Sequence, residues 1–149
     1  MLRLSKLTDY GTVILSVMAK DKRRLFAAME IAMMTGIALP TVSKILKALV
    51  NAKVLLSTRG AKGGYTLACD PHKISVAAII TALEGPIALT ECSISKQGCE
   101  QASGCGIGAN WHLINQTIHN ALESITLADL IIPAAIPEEV CIPVASLYQ

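Results

Sequence analysis

Gly36 and Pro40, four positions apart, divide a mostly apolar stretch into two short helices. Glycine takes positive φ freely and so ends a helix in a tight turn. Proline suits the first turn of the next helix, where no N–H is missed. The apolar spacing predicts one helix from Phe26 to Met34, with Ile31 and Met34 inward. It predicts a second running to about Asn51, with Val42, Ile45, Leu46 and Leu49 inward. Ala32, Gly36 and Val42 fall where a helix-turn-helix needs a small contact, a turn and a core residue. Residues 54–58 then read as a strand, Arg59-Gly60-Ala61-Lys62-Gly63-Gly64 as a turn, and residues 65–68 as the returning strand. The pattern is a winged helix-turn-helix.

The rest of the chain is read as mainly helical around this unit. Leu7, Tyr10, Ile14, Val17 and Met18 give a helix over 6–20. Ser75 is placed to cap a helix ending at Glu84, with Val76, Ile79, Ile80 and Leu83 inside, and Gly85-Pro86 stops it. Trp111, Ile114, Ile118, Leu122 and Ile125 recur on a long helix, and 126–132 add a short helical turn. The fold class is therefore mainly α with a small β-hairpin wing. Its organisation is a winged helix-turn-helix unit at 1–85, a cysteine-containing loop at 86–108, a helical segment at 109–132 and a flexible tail at 133–149.

With 149 residues, 52% hydrophobic and 3% aromatic, the core must be aliphatic. No run of about 18 apolar residues exists, so no spanning helix is expected. The opening residues lack an apolar leader, which points to a cytoplasmic protein. In that setting five cysteines read as thiols or metal ligands rather than as a disulfide framework.

Charge separates the two halves. Residues 1–66 hold eleven Lys/Arg against three acids, and residues 67–149 hold two Lys against eight acids. The front half has the balance of a polyanion binder. The helix after Pro40 would enter the major groove by its N-terminal end. Thr41 and Ser43 there reach base edges or phosphates, and Lys44 and Lys47 meet phosphates. Arg59, beside Gly60 at the hairpin tip, suits a narrow minor groove, and Lys62 the DNA backbone.

Cys92, Cys99 and Cys105 follow a C-x6-C-x5-C spacing in a glycine-rich loop. Such a loop can wrap three thiolates around one centre. An iron–sulfur cluster fits first, two-iron or four-iron undecided. Zinc comes second, since closed zinc sites favour C-x2-C pairs and four ligands. A metal-free thiol switch is third. Cys69 and Cys141 read as incidental thiols.

Leu4-Ser5-Lys6-Leu7-Thr8-Asp9-Tyr10, the wing through Tyr65, the cysteine trio and Ile125-Thr126-Leu127-Ala128-Asp129-Leu130 together resemble the Rrf-type winged-helix transcription regulators. The similarity spans residues 1 to about 131. It is strongest to regulators of the Suf iron–sulfur assembly system, and the chain is similar to IscR and the nitric-oxide sensor NsrR. This resemblance implies a homodimer with the long helix crossing between subunits, a cluster on the three cysteines, and binding to a promoter palindrome as a repressor. In IscR-like members a His follows the third cysteine by three residues; here that position is Gly108. NsrR-like members use an Asp from the partner's first helix, and Asp9 matches it. An acid near a helix N-terminus is also favourable by itself. Nitric-oxide sensing and a zinc- or thiol-based regulator stay open as alternatives, with a redox protein that binds no DNA behind them. No Ser/His/Asp order, phosphate loop or paired-carboxylate site suggests an enzyme.

Overall fold

The computed structural model describes residues 3–94 and 105–132, the Cys92 side chain excepted. Helix α1 spans Lys6–Ala19 and opens on Ser5, whose hydroxyl accepts from the Thr8 N–H. Helix α2 spans Ala28–Thr35 and ends on Gly36 at φ 70°, the left-handed conformation its position called for. Helix α3 spans Leu39–Asn51 with Pro40 in its first turn. The α2 and α3 axes bend by 119° across the intervening turn, within the range of helix-turn-helix units. Strands β1 (Leu55–Thr58) and β2 (Gly64–Leu67) pair antiparallel, Leu55 opposite Leu67 and Thr58 opposite Gly64. Helix α4 spans Val76–Glu84, and the Ser75 hydroxyl accepts from the Ala78 N–H at its start. A short α5 (Glu91–Ile94), a long α6 (Gly108–Ser124) and a short α7 (Leu127–Ile131) follow.

The core forms where α1, α3 and α4 meet. Ile14, Leu15, Ile31, Val42, Ile45, Leu46, Leu49, Ile79 and Leu127 are all fully buried. Each such aliphatic side chain contributes about 1.5–3 kcal/mol on leaving water. All four inward positions expected on α3 are buried, because a 3.6-residue period confines them to one stripe.

Three expectations need correction. Phe26 does not begin α2. Its backbone N–H and C=O both pair with Tyr65 at 2.9 Å, adding a bridge to the edge of the hairpin. Met34 does not point inward but is 51% exposed, so α2 buries only Ile31. The segment 86–108, expected as a loop, contains the short helix α5 among its described residues. The long helix and the short helical turn expected after it are present as α6 and α7, with Ile125 between them extended and capping α6. Thr126 and Asp129 then form a reciprocal capping box that starts α7. The tail at 133–149 lies outside the described residues.

Candidate nucleic-acid interface and donor groups

Because one face of α3 is wholly committed to the core, its remaining residues are forced outward. Ser43, Lys44 and Lys47 are exposed and Thr41 is half-buried. No acid stands in the first turn of α3, and Ala38 at its cap makes no side-chain hydrogen bond. The positive end of the helix dipole is thus left uncompensated by side chains, as an anion-facing helix requires. Arg59, Gly60 and Lys62 are exposed at the β1–β2 turn, where Gly60 takes φ 115° and Gly63 N–H donates to Gly60 O at 2.9 Å. Sequence and structure agree on where these residues stand: on the outer stripe of α3 and at the hairpin tip.

Not every cation of the front half is available. Lys22 Nζ lies 2.8 Å from Asp70, and Arg24 pairs with Glu30 while lying 5.0 Å from the centre of the Phe26 ring. Lys22 and Arg24 are therefore partnered. Among the described residues, no ion pair engages Lys44, Lys47, Arg59 or Lys62. Net charge along the chain could not distinguish these two groups, because the pairs depend on where the fold brings Lys22 beside Asp70 and Arg24 beside Glu30.

The metal-ligating expectations are covered in part. Cys99 lies outside the described residues, and Cys92 is placed only by its backbone on α5. Cys105 is an exposed free thiol just ahead of α6. A Cβ at Gly108 would lie 3.8 Å from its Sγ, so the missing side chain leaves that side of the sulfur open. Asp9 is exposed in the first turn of α1, and its carboxylate has no hydrogen-bond partner among the described residues. A thiol and a carboxylate, both accessible and unengaged, are donor types that suit iron or zinc. No group of three or more His, Cys, Asp or Glu side chains comes together among the described residues.

Two polar residues given no role by the sequence hold α1 to α4 and the backbone before α5 to α6. Glu84, the last residue of α4, accepts from the Thr8 hydroxyl and from the Ser5 N–H, the latter at 2.7 Å. These two donors, Thr8 first, hold its carboxyl below the ordinary value of 4.5. Asn115 on α6 accepts from Leu89 N–H at 3.0 Å and donates to Ile87 O at 3.2 Å. No local pattern marks either residue, since each partner lies 26 or more positions away.

The Rrf2 family model, an iron-dependent transcriptional regulator, matches residues 4–133. The HTH-type transcriptional regulator IscR of Sodalis glossinidius (strain morsitans) is 30% identical over 131 residues, covering 87% of this chain and 79% of its own. Among solved structures, CymR, the global cysteine regulator of B. subtilis, is 30% identical with a TM-score of 0.65, covering 88% of this chain and 97% of its own. T. potens IscR is 28% identical with a TM-score of 0.64, covering 87% of this chain and 86% of its own. With a family match over nearly the whole described chain and a winged-helix architecture shared with these regulators, the protein belongs to the Rrf2 family of transcriptional regulators, and is not an enzyme.

Proposed function

We propose that this protein is a homodimeric, cytoplasmic repressor that binds a promoter palindrome and senses iron–sulfur or redox status. The observation that carries the DNA half is the unpaired cationic surface of Lys44, Lys47, Arg59 and Lys62 beside the helix-turn-helix. Thr41 and Ser43 read bases or phosphates from the N-terminal end of α3, while Gly60 lets the hairpin tip approach the duplex closely. The long helix α6 supports the dimer. None of its 17 residues is buried, yet Trp111, Leu113 and Ile114 are among its exposed side chains. An apolar stripe of this kind finds its cover in a second copy.

Cys92, Cys99 and Cys105, with Asp9 of the partner subunit as fourth ligand, would hold the cluster. The accessible Cys105 thiol, the open side that Gly108 leaves beside it and the unengaged Asp9 carboxylate support that set. A bound two-iron or four-iron cluster would supply a centre whose gain or loss reports iron–sulfur supply. The chain's part is to move α1 and the cysteine segment together, which alters the separation of the two α3 helices. Palindrome half-sites have fixed spacing, so affinity follows that separation.

The similarity to CymR favours a second reading, a regulator acting through its thiols without metal. Anaerobic purification followed by iron, sulfide and zinc assay with a visible spectrum separates the two. Iron and sulfide near stoichiometry are expected, lost in Cys99→Ala. Colourless protein holding zinc, or no metal with thiol-dependent DNA affinity, would remove the cluster and keep the DNA half. Sedimentation should give a dimer, and a monomer at micromolar concentration would refute the role of α6.

A further inference from the structure

Thr8 is one of only two buried polar residues in the described chain, and it is fully enclosed. Its hydroxyl and the Ser5 N–H both donate to Glu84, so one carboxylate serves two groups of the α1 first turn. One turn further along, Gly11 of α1 lies against Leu83 of α4. A Cβ at Gly11 would lie 2.4 Å from Leu83 Cδ1 and 3.7 Å from Ile45 Cγ2 of α3. Adjacent residues of α4, Leu83 and Glu84, thereby fix α1 against α4, and the same turn of α1 rests on the helix carrying Lys44 and Lys47. Directly after Glu84, Gly85 takes φ 92°, a conformation in which other residues are strained. Asn115 then clamps the backbone of Ile87 and Leu89 to α6, just before α5 and Cys92.

We infer that Glu84 is a positioning residue that sets the first turn of α1, and with it Asp9, relative to the root of the cysteine segment. A displacement beginning at Gly85 is delivered through this carboxylate to Ser5 and Thr8, and through the Gly11 contact to Ile45 on α3. The inference rests on the sensing function proposed above. It goes further by naming the joint through which the two parts communicate.

The test uses the full-length protein in two states, reconstituted with ferrous iron and sulfide or stripped by a chelator. The probe is a duplex selected from a random library by the wild-type protein. The wild-type states are expected to differ in affinity by about fivefold or more, the lower range of allosteric coupling. Glu84→Ala should bring the two states within about twofold of each other, and so should Thr8→Val. Glu84→Gln keeps an oxygen that accepts from both donors and should retain most of the wild-type ratio. A variant that melts like wild type when stripped but no longer loads iron counts the same way, provided Glu84→Gln still loads. Should Glu84→Ala destabilise the stripped fold, Thr8→Val decides. A wild-type ratio preserved in both Glu84→Ala and Thr8→Val would overturn the inference and leave the sensing function standing. A wild-type protein that takes up no iron, or whose two states bind alike, would remove the sensing function and the inference together.

Discussion

Salt dependence of duplex binding follows directly from which cations are free. Four per protomer stand exposed and unpaired at the proposed interface: Lys44, Lys47, Arg59 and Lys62. Lys22 and Arg24 are withheld by Asp70 and Glu30. A dimer would then neutralise about eight phosphates, each releasing about 0.9 of a counterion, for a slope of log K against log salt of about −7. Between about 50 and 200 mM salt, affinity should fall by roughly four orders of magnitude. Fluorescence anisotropy with a labelled duplex measures this, and no operator is needed because the phosphate contribution is independent of sequence. Lys44→Ala removes one contact from each protomer and should make the slope shallower by about 2. Lys22→Ala should leave it unchanged. A wild-type slope shallower than about −3 would refute a phosphate-facing surface on α3 and the wing. If Lys22→Ala flattened the slope as much as Lys44→Ala, the ion pair would not be withholding that charge.

Gly11→Ala forces a Cβ to 2.4 Å from Leu83 Cδ1. Leu83 Cδ1 is the far end of a flexible side chain that can turn aside, and alanine favours the helix by about 1 kcal/mol. Stability read from the urea midpoint should therefore stay within about 1 kcal/mol of wild type, and a loss above about 2 kcal/mol would show that Leu83 cannot move. Lys53, at φ 61°, is the one non-glycine residue in the left-handed region among those described. Lys53→Gly should therefore raise stability by about 1 kcal/mol in thermal melts, whereas a fall would show that the cation at the end of α3 outweighs the backbone strain. Glu84 has its carboxyl lowered from 4.5 by Thr8 and then Ser5, so its stabilising effect is full above that value and is lost as pH falls through the folded-state pKa. The melting-temperature gap between wild type and Glu84→Gln should close as the solution is acidified below pH 4.5. A gap that persists would place the Glu84 effect elsewhere.

Much of the fold was legible because its signals are local. Gly36, Pro40 and Ser75 act within one helical turn of where they stand, and the inward stripe of α3 follows from periodicity. Phe26 misled because its backbone pairs with Tyr65, 39 positions later, and nothing near Phe26 announces a strand partner. Met34 misled because α2 is only two turns long and buries Ile31 alone. On the DNA side, the outward residues of α3 and the hairpin tip were legible once the core face was known. Which lysines and arginines were already paired was not.

The amino-acid sequence by itself determined the order of the elements, the turn and wing that make a helix-turn-helix, and the chemistry of the donor groups. These depend on conformational preference and spacing between near neighbours. Only the tertiary structure decided that Glu84 closes over Ser5 and Thr8, that Asn115 holds the approach to the cysteines, and that Lys22 and Arg24 are not free. Hydrogen bonds and ion pairs of that kind arise when packing brings distant segments within a few ångströms, and their strength depends on a geometry that no local pattern encodes.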